Sequence, residues 1–139
     1  MLNRHQSRLK LIFALYKSLL LNKNIKQVFI TEYEEEPELL TDEYINTILE
    51  DLNNNLDTYI KEIEPKLVKW SFDRLDFLDQ AISIASTSEI KTGVNSKSVV
   101  IDEAVIIAKE YLDENKYKYI NGVLDKLWVN TQYPKLFIN

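Results

Sequence analysis

The sequence predicts an all-α protein, a single compact domain of about five to seven helices across residues 1–139. Three observations predict it. Apolar residues recur at spacings of three and four along most of the chain, and the strict alternation of a half-buried strand is missing. Only two glycines (Gly93, Gly122) and three prolines (Pro37, Pro65, Pro134) occur, too few chain breakers for a turn-rich β fold. A chain of 139 residues with 45% hydrophobic content is also long enough to bury one sizeable core.

The elements follow in order. Over 3–21, Leu9, Ile12, Phe13, Tyr16, Leu19 and Leu20 form one apolar stripe, so an amphipathic helix opens the chain. Arg4, Arg8 and Lys10 lie at its N-terminal end, where the helix dipole disfavours cations, a local conflict of the kind found at functional sites. Residues 22–40, with Glu34-Glu35-Glu36 just before Pro37, read as an acidic loop. Thr41 is placed to cap a helix running to about Ile63 with Tyr44, Ile48, Leu52, Tyr59 and Ile63 on one face, and Pro65 stops it. A short helical segment Lys66–Trp70 follows. Ser71 is placed to cap a helix over about 73–90 with the stripe Leu75, Leu78, Ile82, Ala85. Gly93 and Asn95 mark a turn, the next helix runs from about Ser98 to Leu112, and the last from about Lys116 to Trp128. An irregular tail, 130–139, contains Pro134. There is no internal repeat and no linker.

Charge is more informative by segment than in sum. The net charge is −5, yet residues 1–31 carry six basic side chains and no acid, residues 32–64 carry twelve acids against Lys61 alone, and the remainder cancels. A basic arm stands beside an acidic segment. Such an arm serves either as a solvated helix face or as a polyanion site, because phosphate contacts need local rather than global positive charge.

Several classes are excluded. With no cysteine, disulfides and thiolate metal sites are impossible, and a reducing cytoplasmic location is expected. The run Leu19-Leu20-Leu21, bracketed by Lys17 and Lys23, is far short of the roughly 20 apolar residues of a membrane span. His5 is the only histidine, so neither a zinc site nor a Ser-His-Asp triad can be assembled with any specificity. The two glycines are too far apart for a phosphate loop. Asp76 and Asp79, three apart on a helix, read as surface charge or capping. No catalysis, cofactor or metal is expected. Tyr44, Tyr59 and Tyr117 fall on apolar stripes and are expected in the core with a wet hydroxyl. Tyr119 lies off its stripe beside Lys118 and admits two readings. It is either a partly buried tyrosine on a polar face or a ring on which a single-stranded base stacks while lysines meet phosphates.

Four stretches together resemble the NusB family of transcription antitermination factors. They are Arg8 with Ala14-Leu15-Tyr16; Trp70-Ser71-Phe72-Asp73-Arg74-Leu75 with Leu78-Asp79-Gln80-Ala81-Ile82; Val99-Val100-Ile101-Asp102-Glu103-Ala104-Val105 with Ala108-Lys109; and Lys118-Tyr119-Ile120-Asn121-Gly122-Val123-Leu124-Asp125-Lys126. The resemblance spans nearly the whole chain. It implies two packed helical subdomains, the C-terminal one from about residue 65, and binding to boxA-type single-stranded RNA. It also implies a heterodimer with the small-subunit ribosomal protein that doubles as NusE, and indirect contact with the RNA polymerase elongation complex. On the same resemblance Arg4, His5, Gln6, Arg8, Asn115, Lys116, Lys118 and Tyr119 would meet RNA. The helix around Asp79, with Leu75, Ile82, Ser83 and Ser86, would face the protein partner. Asn121-Gly122 either belongs to the RNA face or lets helices approach closely.

Departures from the family pattern thin the basic cluster. His5 and Gln6 stand where arginines are common, Ser88 replaces the usual tyrosine and Ile84 a frequent arginine, while Asn115 replaces an acid, which favours RNA. Two alternatives follow. One is the RNA-binding part of an rRNA cytosine methyltransferase, which needs an α/β cofactor domain that these 139 residues do not contain. The other is a helical protein-binding adaptor with weak or lost RNA affinity.

Overall fold

A computed structural model describes residues 2–68, 71–113 and 116–127. Among them are seven α-helices and no strand: α1 (Arg4–Leu21), α2 (Ile25–Glu32), α3 (Pro37–Leu40), α4 (Glu43–Ile63), α5 (Phe77–Thr92), α6 (Lys97–Tyr111) and α7 (Lys116–Asp125). The expected tail 130–139, Trp70 and the end of the last helix at Trp128 lie outside the described residues.

Local chemistry sets most helix ends. The Asn3 side chain accepts the Gln6 N–H at 2.8 Å and starts α1, and Asn22, in the left-handed region at φ 55°, ends it. Asp42, not Thr41, caps α4 by accepting the Ile45 N–H at 3.0 Å, while the Thr41 hydroxyl donates to the Pro37 carbonyl at 2.9 Å. Ser96 caps α6 through the Val99 N–H. Gly93 closes α5 at φ +76°, a conformation that costs glycine nothing and any other residue strain.

The expectation of a loop over 22–40 is corrected. Asn24 caps α2, whose Ile25, Val28 and Phe29 are buried, and α3 starts on Pro37 and buries Leu39. Eight residues are too few for a helix stable by itself in water. Packing of α2 against α1 and α4 supplies what propensity lacks. Two smaller differences follow. In place of a helix at Lys66–Trp70 there is a 3-10 turn over Glu64–Lys66, with Leu67 extended after it. Ser71 makes no capping bond. It precedes a 3-10 turn over Phe72–Arg74, and α5 begins only at Phe77. The Gln80 amide pins that turn to α5 by donating to the Phe72 and Leu75 carbonyls at 3.1 and 3.0 Å.

The core is organised on α5. Every residue from Asp79 to Ile90 is buried, because α1, α4, α6 and α7 all pack on this one helix. Its small and hydroxylated residues permit close packing. The Ser83 and Thr87 hydroxyls donate to carbonyls one turn back, and Ser88 donates to the Asp51 carboxylate at 2.7 Å. The stripe of α4 (Tyr44, Ile48, Leu52, Tyr59, Ile63) faces inward as its periodicity predicts. No described helix is long and apolar enough to cross a membrane.

Candidate nucleic-acid interface

The basic arm and the acidic segment fold onto each other. Lys10 lies 3.7 Å from Glu36, Lys17 2.6 Å from Glu32 and Lys26 2.8 Å from Glu50. Exposed pairs of this kind add little stability, but each cancels a charge that a phosphate would otherwise feel. Three of the six N-terminal cations are neutralised in this way.

Arg8 is spent inside the protein, which corrects its place among the phosphate contacts. It is 4% exposed, its Nε and Nη2 donate to the two Glu89 oxygens at 2.7 and 2.9 Å, and Nη1 donates to Glu103 at 3.1 Å. Burial opposes the charge, but the Glu89 pair outweighs it and holds the Arg8 pKa above its usual value. The Asn95 amide donates to the same Glu89 at 2.9 Å. Tyr44 buries its hydroxyl beside this network, and burial first, then the Glu89 charge, push its pKa up. On the outside, His5 Nδ1 is 3.3 Å from Glu103, so the acid that binds Arg8 also shadows His5. Arg4 and Gln6 are exposed, and the Arg4 guanidinium sits 4.0 Å above the Tyr44 ring centre, where the ring face offsets the cost of a cation in the first helical turn.

A second cationic group lies at α7. Lys116, expected at the RNA, is engaged by Asp79 at 2.9 Å and Asp76 at 3.1 Å. Asp79 is 1% exposed, so this lysine neutralises a buried carboxylate and joins the start of α7 to α5. Burial raises the Asp79 pKa, with Lys116 opposing. Desolvation works against the Lys116 charge, but its bonds to the two acids raise its pKa overall. The Tyr119 ring is partly buried and its hydroxyl fully so, next to Asp79 and Ser83. Burial and then the Asp79 charge raise its pKa. Tyr119 is thus a partly buried tyrosine with its hydroxyl turned inward, and the residue also lines a surface cavity. Lys118 is exposed and makes no ion pair among the described residues. Asn115 lies outside the described residues.

The structure gathers Lys118 and Tyr119 with two lysines that the sequence does not single out. Lys66, at the end of the 3-10 turn after α4, and Lys126, just past α7, line the same cavity of about 250 Å³. Lys66 donates to the Glu62 carbonyl at 3.0 Å, and neither lysine is ion-paired among the described residues. Only the folding of the Lys66 turn against α7 reveals the group. It is not contiguous with the opening segment. Arg8 meets α5 at Glu89 and Lys116 meets it at Asp79, positions about 15 Å apart along a helix axis.

The residues expected to face a protein partner are also corrected. Leu75, Asp79, Ile82, Ser83 and Ser86 are all buried, none more than 6% exposed. The reason is topological: the helix that carries four of them is surrounded rather than peripheral.

Residues 5–128 match the family model described as the NusB family. The chain is 32% identical over 129 residues to the transcription antitermination protein NusB of Sulfurovum sp. (strain NBC37-1), covering 91% of this chain and 98% of that protein. It is 34% identical over 131 residues to the protein of the same name from Pediococcus pentosaceus, covering 91% and 97%. A solved structure of T. maritima NusB superposes with a TM-score of 0.76 at 28% identity, covering 90% of this chain and 89% of that one.

Proposed function

We propose that this chain, which belongs to the NusB family, serves transcription antitermination by holding boxA-type single-stranded RNA jointly with the small-subunit ribosomal protein acting as NusE. Antitermination is the activity for which its relatives are named. The RNA and the ribosomal protein are this reading's own extension, as are delivery to the RNA polymerase elongation complex in the cytoplasm and a role in binding rather than catalysis.

The observation that carries the reading is the exposed Lys118, without an ion pair among the described residues, beside Tyr119 on α7. An exposed ammonium next to a ring suits single-stranded RNA, whose phosphates and unstacked bases are both accessible. Arg4 and Gln6 extend the contact at the start of α1, with His5 weakened by Glu103. Arg8 and Lys116 act at one remove, by holding α1 and α7 on α5. With the arginine cluster thinned and four of the six N-terminal cations paired, affinity for RNA alone is modest and the partner supplies the remainder.

Fluorescence anisotropy with a labelled boxA-type RNA and a scrambled RNA of the same composition tests this. Weak binding alone, tightened by the ribosomal protein for the matched RNA only, is expected. Equal affinity for both RNAs, with or without partner, would refute it and favour the helical adaptor.

A further inference from the structure

Gly122 occupies the interior of α7, where glycine disfavours the helix relative to alanine. Its backbone does not need glycine, since the only glycine at positive φ among the described residues is Gly93. Nor does packing need it, because a Cβ built at Gly122 meets nothing within 4 Å among the described residues. Of the two readings of Asn121-Gly122, close approach of helices therefore finds no counterpart among the described residues. The backbone at Gly122 is open among the described residues.

What lies in front of Gly122 is the lysine-lined cavity. Its apolar wall is Leu67, Val68 and Val123, and Val68 is 81% exposed, so an apolar surface stands open at the mouth. Lys66, Lys118 and Lys126 surround that surface. At about 250 Å³ the cavity falls below the roughly 300–1,000 Å³ of sites that enclose a whole drug-sized ligand. It suits one ring system with charged groups left outside.

We infer that this cavity seats one nucleotide of single-stranded RNA, with the base against the apolar wall and the open Gly122 backbone and the flanking phosphates at Lys66, Lys118 and Lys126. This rests on the RNA-binding reading above and names the site within it. The charge argues for this occupant. These three cations lack carboxylate partners among the described residues, whereas Lys10, Lys17 and Lys26 are paired. An uncompensated cationic rim around an apolar floor matches phosphates flanking a base.

The test compares wild type, Gly122→Leu, Gly122→Ala and Lys66→Ala/Lys126→Ala, using labelled boxA-type RNA and its scrambled counterpart in the presence of the ribosomal protein. Gly122→Leu fills the cavity without changing charge and should weaken matched-RNA binding about tenfold or more, the loss typical of one stacked base. The double lysine variant should lower the slope of log affinity against log salt by roughly 1.4, about 0.7 for each lost single-strand phosphate contact. Neither glycine substitution should lower the melting temperature, and Gly122→Ala should raise it. Wild-type affinity in Gly122→Leu, or an unchanged salt slope in the lysine variant, overturns the inference while leaving RNA binding intact. A wild type that does not distinguish matched from scrambled RNA overturns both. A melting temperature lowered by Gly122→Ala would show that packing requires the glycine, and loss of ribosomal-protein binding with RNA affinity retained would assign the cavity to an acidic protein segment. Either result also overturns it.

Discussion

Replacing Arg8 by methionine should strongly destabilise the protein while leaving the electrostatics of RNA binding unchanged. The substitution keeps an unbranched apolar stem and removes the guanidinium. That group makes two bonds to Glu89, whose side chain is 2% exposed, and one to Glu103, whose side chain is 28% exposed. Glu103 can recover water, but Glu89 cannot. Among the described residues it would keep only the Asn95 amide as a hydrogen-bond donor, too little for a buried carboxylate. Breaking a buried pair from one side costs about 3–5 kcal/mol, a large part of the roughly 5–15 kcal/mol that holds a domain folded. With a urea m-value of about 1–3 kcal/mol/M, the midpoint should fall by 1 M or more. Urea unfolding followed by circular dichroism measures the shift. The double variant Arg8→Met/Glu89→Leu removes both charges and should recover most of the loss. An Arg8→Met protein within about 1 kcal/mol of wild type that nevertheless binds RNA less well, with a shallower salt slope, would refute the structural account and return Arg8 to the phosphates.

Arg4→Ala should behave oppositely. It gives up only the contact with the Tyr44 ring, about 0.5–1 kcal/mol, and should lower the RNA salt slope by about 0.7; an unchanged slope would place the RNA away from α1. The Asp79–Lys116 pair should be asymmetric. Lys116→Met strands a buried carboxylate and should cost about 3–5 kcal/mol, whereas Asp79→Asn leaves Lys116 with Asp76 and should cost about 1 kcal/mol, both read from urea midpoints. Burial raises the Asp79 pKa, so the folded state holds this proton more tightly than the unfolded chain. Its contribution is complete below the ordinary carboxylate pKa and is lost as pH rises through the elevated folded value. Asp79→Asn should flatten that part of the stability profile, and an identical profile in both proteins would mean that Asp79 is solvated. Ile82→Ala should destabilise by about 2–5 kcal/mol without weakening ribosomal-protein binding measured below its melting point, whereas selective loss of partner binding would make α5 a docking face after all.

Helix class and helix faces were legible because their causes are local. The stripe of α4, the breaks at Pro65 and Gly93, and the start and end of α1 all depend on neighbours three or four residues away. Family membership was legible for the same reason, as four short runs in order. The segment 22–40 was not, since α2 and α3 are too short to declare themselves without the helices they pack on.

The site was legible only in part. Lys118 and Tyr119 can be singled out from the line of residues, because an exposed cation beside an off-stripe aromatic is a local pattern. Whether a cation is free is a different kind of property. Arg8 looks like a phosphate ligand until Glu89 and Glu103, 81 and 95 residues away, enclose it, and Lys116 does until Asp79 takes it. Burial and ion pairing depend on distance in space, and a charge loses its availability to whichever partner the fold brings within about 3 Å. Sequence alone determined that the protein is helical, where its stripes lie and to which family it belongs. Tertiary structure decided which cations remain for a ligand, by pairing the basic arm with the acidic segment, spending Lys116 on Asp79, and leaving Lys66, Lys118 and Lys126 without a carboxylate partner among the described residues.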